Sequence, residues 1–150
     1  MPVSVQREDF DIAAETARLT AGDPDIGAVV SFTGLVRQMT GAGPITAMEL
    51  EHYPGMTEAA LAGIVAEAEA RWPLQGVRVI HRYGSLRPGD RIVLVLTASR
   101  HRQAAFEAAE FLMDYLKTQA PFWKKEDHGG ETRWVDARDS DDSAAARWKR

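Results

Sequence analysis

Ser99-Arg100-His101-Arg102 stands where a long helical pattern begins. With Ser99 as N-cap, three basic side chains fall in the first helical turn, where unpaired amides and the macrodipole already make the potential positive. Each such cation costs about 0.3 to 1 kcal/mol, and a bound phosphate turns that cost into a gain, because helix-start amides and guanidinium forks both suit an anion. The spacing is equally compatible with side chains that splay into solvent. Two lysines are the other reactive candidates. Lys117 ends the same helical pattern, where a cation also simply complements the dipole. Lys124 follows the Pro121 break and alternates with Phe122 and Glu126 on one strand face, while Trp123 and Lys125 point to the other; a solvated edge-strand lysine has the same pattern. Arg37 ends an apolar strand and opens a Gly-rich loop, a position that aims a guanidinium into a cleft but is also commonplace on surfaces. Of the histidines, His81 reads as a half-buried, hydrogen-bonded sheet residue, His52 as the residue ordering the Tyr-Pro-Gly turn, and His128 as loop decoration. No pair of them has the i, i+4 spacing of a helical metal site, so neither a metal nor another cofactor is expected.

These groups must be carried by mixed elements. Residues 3–6 form a short strand candidate, and residues 9–21 a modest amphipathic helix broken by Gly22-Asp23-Pro24. Residues 27–37 read as a largely buried strand delivering Arg37, residues 38–44 as a flexible loop, and 45–53 as a second strand. After Pro54-Gly55, Thr57 caps a helix whose stripe is Leu61, Ile64, Val65, Ala68 and Trp72. Residues 77–83 and 91–99 read as paired strands around Arg87-Pro88-Gly89-Asp90, a type II turn pattern, and the doubly apolar IVLVLTA marks a central strand covered on both faces. The basic segment then opens a helix from Arg100 to about Thr118, and residues 122–126 and 132–135 form a hairpin. Residues 136–150 are a short helix or a frayed tail. The predicted class is α+β with a mixed sheet and flanking helices, built as one domain over 1–150.

Composition narrows the chemistry. The 150 residues carry a net charge of -4, so no global basic field points to nucleic acid and any anion site must be local. No window approaches a membrane span and the N-terminus lacks a basic, then apolar, leader pattern, so a cytoplasmic protein is expected. The absence of cysteine excludes disulfides, thiolate zinc sites and a cysteine nucleophile or persulfide on this chain.

The segments AVVSFTGLVR (28–37), LEHYPGMTEAAL (50–61), RWPLQGVRVIHRYGSLRPGD (71–90), SRHRQAAFEAAEFLMDYLKTQAPFWKKE (99–126) and RWVDARDSD (133–141) closely resemble the large subunits of molybdopterin synthases. The resemblance implies an α/β hammerhead-like fold with additional antiparallel structure. It also implies a homodimer that binds a small ubiquitin-like sulfur carrier at each end, giving a heterotetramer. The carrier's C-terminal Gly-Gly thiocarboxylate would supply sulfur to cyclic pyranopterin monophosphate, and two transfers would create the dithiolene that later holds molybdenum. Matched motif by motif, Lys117 and Lys124 take the catalytic positions, and Arg37, His101 and Arg102 the phosphate and pterin pocket; Lys125 and Glu126 adjoin that pocket, and Arg138 is a further candidate. A carrier-delivered thiocarboxylate also explains a sulfur transferase without cysteine. A lysine near its free pKa of about 10.4 is a poor base, so neighbouring cations are expected to lower that of Lys117. Two other readings use the same cations: a module that binds a ubiquitin-like tail or phosphorylated metabolite without chemistry, and a phosphoryl or acyl transferase. The second lacks a Gly-rich phosphate loop, a G-x-S-x-G elbow and a thiol.

Overall fold

The computed structural model describes residues 2–135 and 139–149. Its main sheet contains β1 (Val3–Gln6), β6 (Leu74–Arg82), β8 (Arg91–Ser99) and β2 (Ala28–Leu35), in that order. β1 runs parallel to β6, and the other pairs are antiparallel, so the sheet is mixed. The expected central strand is β8: it lies between β6 and β2, and every residue from Val93 to Ser99 is buried. Its pleat divides the core. Val93 and Val95 face α2 (Met56–Arg71) and α3 (Arg102–Gln119), packing with Leu61, Ile64, Val65, Phe111 and Leu112. Leu94 and Leu96 face the other way, with Ile80 and Phe10, against α1 (Ile12–Thr20). Each fully buried Leu, Val or Phe in these layers contributes roughly 1.5 to 3 kcal/mol of transfer free energy.

A second, antiparallel sheet has the order β10 (Thr132–Val135), β9 (Phe122–Asp127), β5 (Ala47–His52), β7 (Gly84–Leu86). β7 explains a departure from the sequence reading. β6 and β8 do pair, but the chain between them first adds a strand to the second sheet, then turns through Pro88-Gly89. Gly89 has φ of 92°, the left-handed value that the third position of a type II turn requires. Phe122 and Ile92 pack against both the main core and the smaller cluster of Val36, Ile45, Met48, Leu50 and Leu86, joining the two sheets.

Two helix starts differ from expectation. α2 begins one residue before Thr57, and the Gly55 amide donates to the Glu58 carboxylate reaching back from the first turn. α3 begins at Arg102, with His101 at the N-cap, because Ser99 is still strand and its hydroxyl donates to the Pro73 carbonyl rather than to a helix amide. The predicted loop 38–44 is a small hairpin of β3 (Met39–Thr40) and β4 (Gly43–Pro44). In the chain's final segment, α4 spans Asp139–Ala146.

Candidate functional site

β9 places the second candidate lysine. Its residues pair with β5 so that Phe122 faces His52, Lys124 faces Leu50 and Glu126 faces Met48, all on the inward face. Lys125 lies on the opposite face with its ammonium 5.3 Å from the centre of the Trp134 ring. The alternation read from sequence therefore holds, and it separates Lys125 from Lys124 by the thickness of the sheet. Glu126 is buried.

Phe122, on the same face of β9 as Lys124, belongs to a group of rings that the sequence reading did not assemble. His81 stacks on Phe122 with centroids 3.8 Å apart and planes within 18°. His52 packs 4.4 Å from Tyr83 and 6.0 Å from Phe122. The Thr57 hydroxyl donates to the Tyr53 carbonyl, so it accepts from His52 Nδ1 at 3.0 Å, and His52 thereby ties the turn to α2 as expected. His81 is fully buried rather than half-buried, and Nδ1 donates to the Arg82 carbonyl at 2.8 Å. Nε2 then carries the lone pair. Lys117, exposed in the last turn of α3, is close enough to bear electrostatically on that ring. Lys117, His81, Phe122 and Lys124 thus share one end of the fold. Period-two alternation from Lys124 pointed to Phe122; nothing local pointed to His81, because its stack crosses between sheets.

Burial holds the His81 imidazole neutral, pushing its pKa down to about 3, with the Lys117 charge a smaller contributor in the same direction. The sign of the linkage follows. Above pH 6.5 the contribution to stability is complete; as pH falls towards about 3, the unfolded chain takes up a proton that the folded chain refuses, at up to about 1.4 kcal/mol per pH unit. Wild type is expected to lose stability between neutral and mildly acidic pH more steeply than His81→Phe, as read from urea midpoints. Parallel losses would show that His81 is not the residue charged on acid unfolding.

The phosphate candidates lie elsewhere. Ala28 pairs with Ser99 and Leu35 with Arg91, so β2 carries Arg37 away from the start of α3. His101 and Arg102 are exposed at the far end of α3 from Lys117, about 24 Å away along its axis at ~1.5 Å per residue. Arg37 is exposed beyond the Arg91 end of the sheet, where Val36 exchanges backbone hydrogen bonds with Asp90 and Gly89. A single chain therefore does not gather Arg37, His101 and Arg102 into one cluster. Arg100 pairs with Asp25, so this part of the basic segment is neutralised. Gly27 permits that approach: its amide donates to the Ser99 carbonyl, and a Cβ there would lie 2.2 Å from the Arg100 carbonyl oxygen. Arg138 lies outside the described residues. Among the described residues no three His, Asp or Glu side chains converge as a metal site.

An α+β protein with a mixed main sheet, a second antiparallel sheet and two lysines at the end where His81 stacks on Phe122 is the class this architecture defines. The model of the family described as MoaE protein matches residues 5–119. The molybdopterin synthase catalytic subunit of Mesorhizobium japonicum is 63% identical, over 98% of this chain and 92% of that one. The structure of the molybdopterin biosynthesis MoaE protein from Burkholderia ambifaria superposes with a TM-score of 0.83 at 53% identity, covering 99% of both chains. A chain in the crystal structure of molybdopterin synthase from Staphylococcus aureus gives 0.84 at 31% identity, covering 91% of this chain and 98% of its own. The chain belongs to the MoaE family.

Proposed function

We propose that the protein is the catalytic subunit of a molybdopterin synthase, transferring sulfur in the cytoplasm from the C-terminal thiocarboxylate of a small ubiquitin-like carrier to cyclic pyranopterin monophosphate. The observation that carries this reading is the 63% identity to a molybdopterin synthase catalytic subunit along nearly the whole of both chains. The chemistry of the site agrees with it. Both reactants are anionic, the chain offers cations without a thiol, and Lys117 lies close enough to the buried His81 ring to act on it electrostatically. Lys117 serves the reacting centre as acid, base or electrostatic stabiliser, and Lys124 orients the carrier tail and the pterin.

The phosphate is held by His101 and Arg102 of a second copy. About 24 Å of helix separates these residues from Lys117 of the same chain, so a substrate touching both needs two chains. The protein's surface suits such a neighbour: β2 is an edge strand with Phe32 and Leu35 exposed along it, and Phe106 stands exposed one turn into α3. Arg37 belongs to the pocket, and the working assembly is a homodimer of this chain with one carrier at each end.

Purified protein mixed with thiocarboxylated carrier and cyclic pyranopterin monophosphate is expected to yield the dithiolene product; a mere binding module yields none. Arg102→Ala is expected to weaken substrate binding by roughly 10- to 100-fold, the loss of a charge-assisted contact to phosphate. Equal affinity in calorimetric titrations would remove Arg102 from the phosphate site.

A further inference from the structure

The hairpin that follows Arg37 is fastened to β9 by a cluster that the lysine chemistry does not use. Glu126 is buried opposite Met48. Its Oε1 accepts from Thr40 Oγ1 at 3.0 Å and lies 3.1 Å from His128 Nε2. The other ring nitrogen, His128 Nδ1, lies 2.9 Å from the Pro44 carbonyl oxygen. Far from being loop decoration, His128 bridges β9 and the hairpin. A neutral imidazole has a single N–H and serves a single acceptor. Satisfying a carbonyl and a carboxylate together requires one further proton held between His128 and Glu126, as imidazolium with carboxylate or as imidazole with carboxylic acid.

Nearby charges do not duplicate this link. Asp127 Oδ1 accepts from the Gly129 and Gly130 amides, and Glu131 faces Arg133 at 3.8 Å. Lys124 shares the inward face of β9, and Arg133 pairs across from Glu126 in the ladder. Residues 38–44 contain no ionisable side chain, so the hairpin is held by Thr40 and the Pro44 carbonyl, with the Ile45 amide donating to the Gln38 carbonyl at its base.

We propose that His128 is a positioning residue for sulfur transfer: the proton it shares with Glu126 clamps hairpin 39–44 onto β9, fixing Arg37 at the hairpin's base relative to Lys124. The proposal rests on the molybdopterin synthase reading for its catalytic consequence, but the clamp itself does not. Without a side chain that bridges the Glu126 carboxylate and the Pro44 carbonyl, β9 and the hairpin lose that tie and the hairpin loosens.

Hydrogen exchange over residues 38–46, expressed as protection factors so that intrinsic base catalysis cancels, tests the clamp without substrate. Protection there is expected to fall about tenfold or more in His128→Ala, as befits loss of a charge-assisted bond. His128→Gln, whose two N–H donors sit on one nitrogen and cannot serve both acceptors, is expected to restore only part of that protection. In steady-state assays, His128→Ala should raise KM for the pterin more than it lowers kcat. A His128→Ala variant matching wild type in protection and KM overturns the proposal. Absence of sulfur transfer in wild type would instead overturn the functional reading, while the exchange data still decide the clamp.

Discussion

Lys117→Ala is expected to cut dithiolene formation by about 10²- to 10⁴-fold while leaving the fold intact, the range associated with loss of a positioned acid, base or charge. The fold should survive because Lys117 is exposed in the last turn of α3, and its favourable interaction with the helix end contributes only about 0.3 to 1 kcal/mol. Single-turnover measurement with preloaded carrier isolates chemistry from carrier reloading. Lys117→Arg separates the two roles open to the residue. If the ammonium only stabilises developing negative charge, the guanidinium restores a substantial part of the rate; if a proton must move, Arg fails, because it stays protonated throughout. Near wild-type turnover in Lys117→Ala would take the lysine out of the reaction altogether. The neighbouring His81 does not supply a second charge there, because burial keeps its ring neutral across the working pH range.

What the sequence made legible was local. Period-two alternation put Phe122, Lys124 and Glu126 on one face, and the structure keeps them there because β9 is paired on both sides. The doubly apolar run at 91–99 announced a strand covered on two faces. Helical periodicity marked α2 and α3, and the apolar stripe of α2 became its buried face. Non-local pairing was not legible. Nothing in residues 28–37 states that β2 runs antiparallel to β8, yet that pairing sends Arg37 and His101 to opposite ends of the sheet. The Ser99 cap failed for a related reason: a serine before a helical pattern is a good cap signal, but the Pro73 carbonyl, 26 residues away, competes for the hydroxyl and wins. The loop at 38–44 had the composition of a flexible segment, and its order comes from Glu126 and His128, more than 80 residues further on. Helix length, by contrast, was available from the start. A helix reaching from Arg100 to about Thr118 already places its two ends too far apart for one small substrate, which is what the proposed two-chain arrangement answers.

Mixing two impaired variants, assayed at a substrate concentration too low to saturate Arg102→Ala, should therefore restore activity. On the proposed arrangement each site takes Lys117 and Lys124 from one copy and His101 and Arg102 from the other, so Lys117→Ala and Arg102→Ala homodimers are each damaged at both sites. A heterodimer of the two carries both substitutions in one site and neither in the other. Random exchange between equal amounts gives about half heterodimers, so about a quarter of all sites are intact and activity returns to about that fraction of wild type. Lys117→Ala mixed with Lys124→Ala gives no such return, because both lysines come from the same copy and every site in their heterodimer lacks one of them. Native mass spectrometry with differently tagged chains verifies that exchange has occurred. If exchange is complete and the Lys117→Ala with Arg102→Ala mixture stays inactive, the two residues do not meet across copies. With about 22 Å of α3 between them in one chain, they could not then serve a single bound phosphate and its reacting carbons at all.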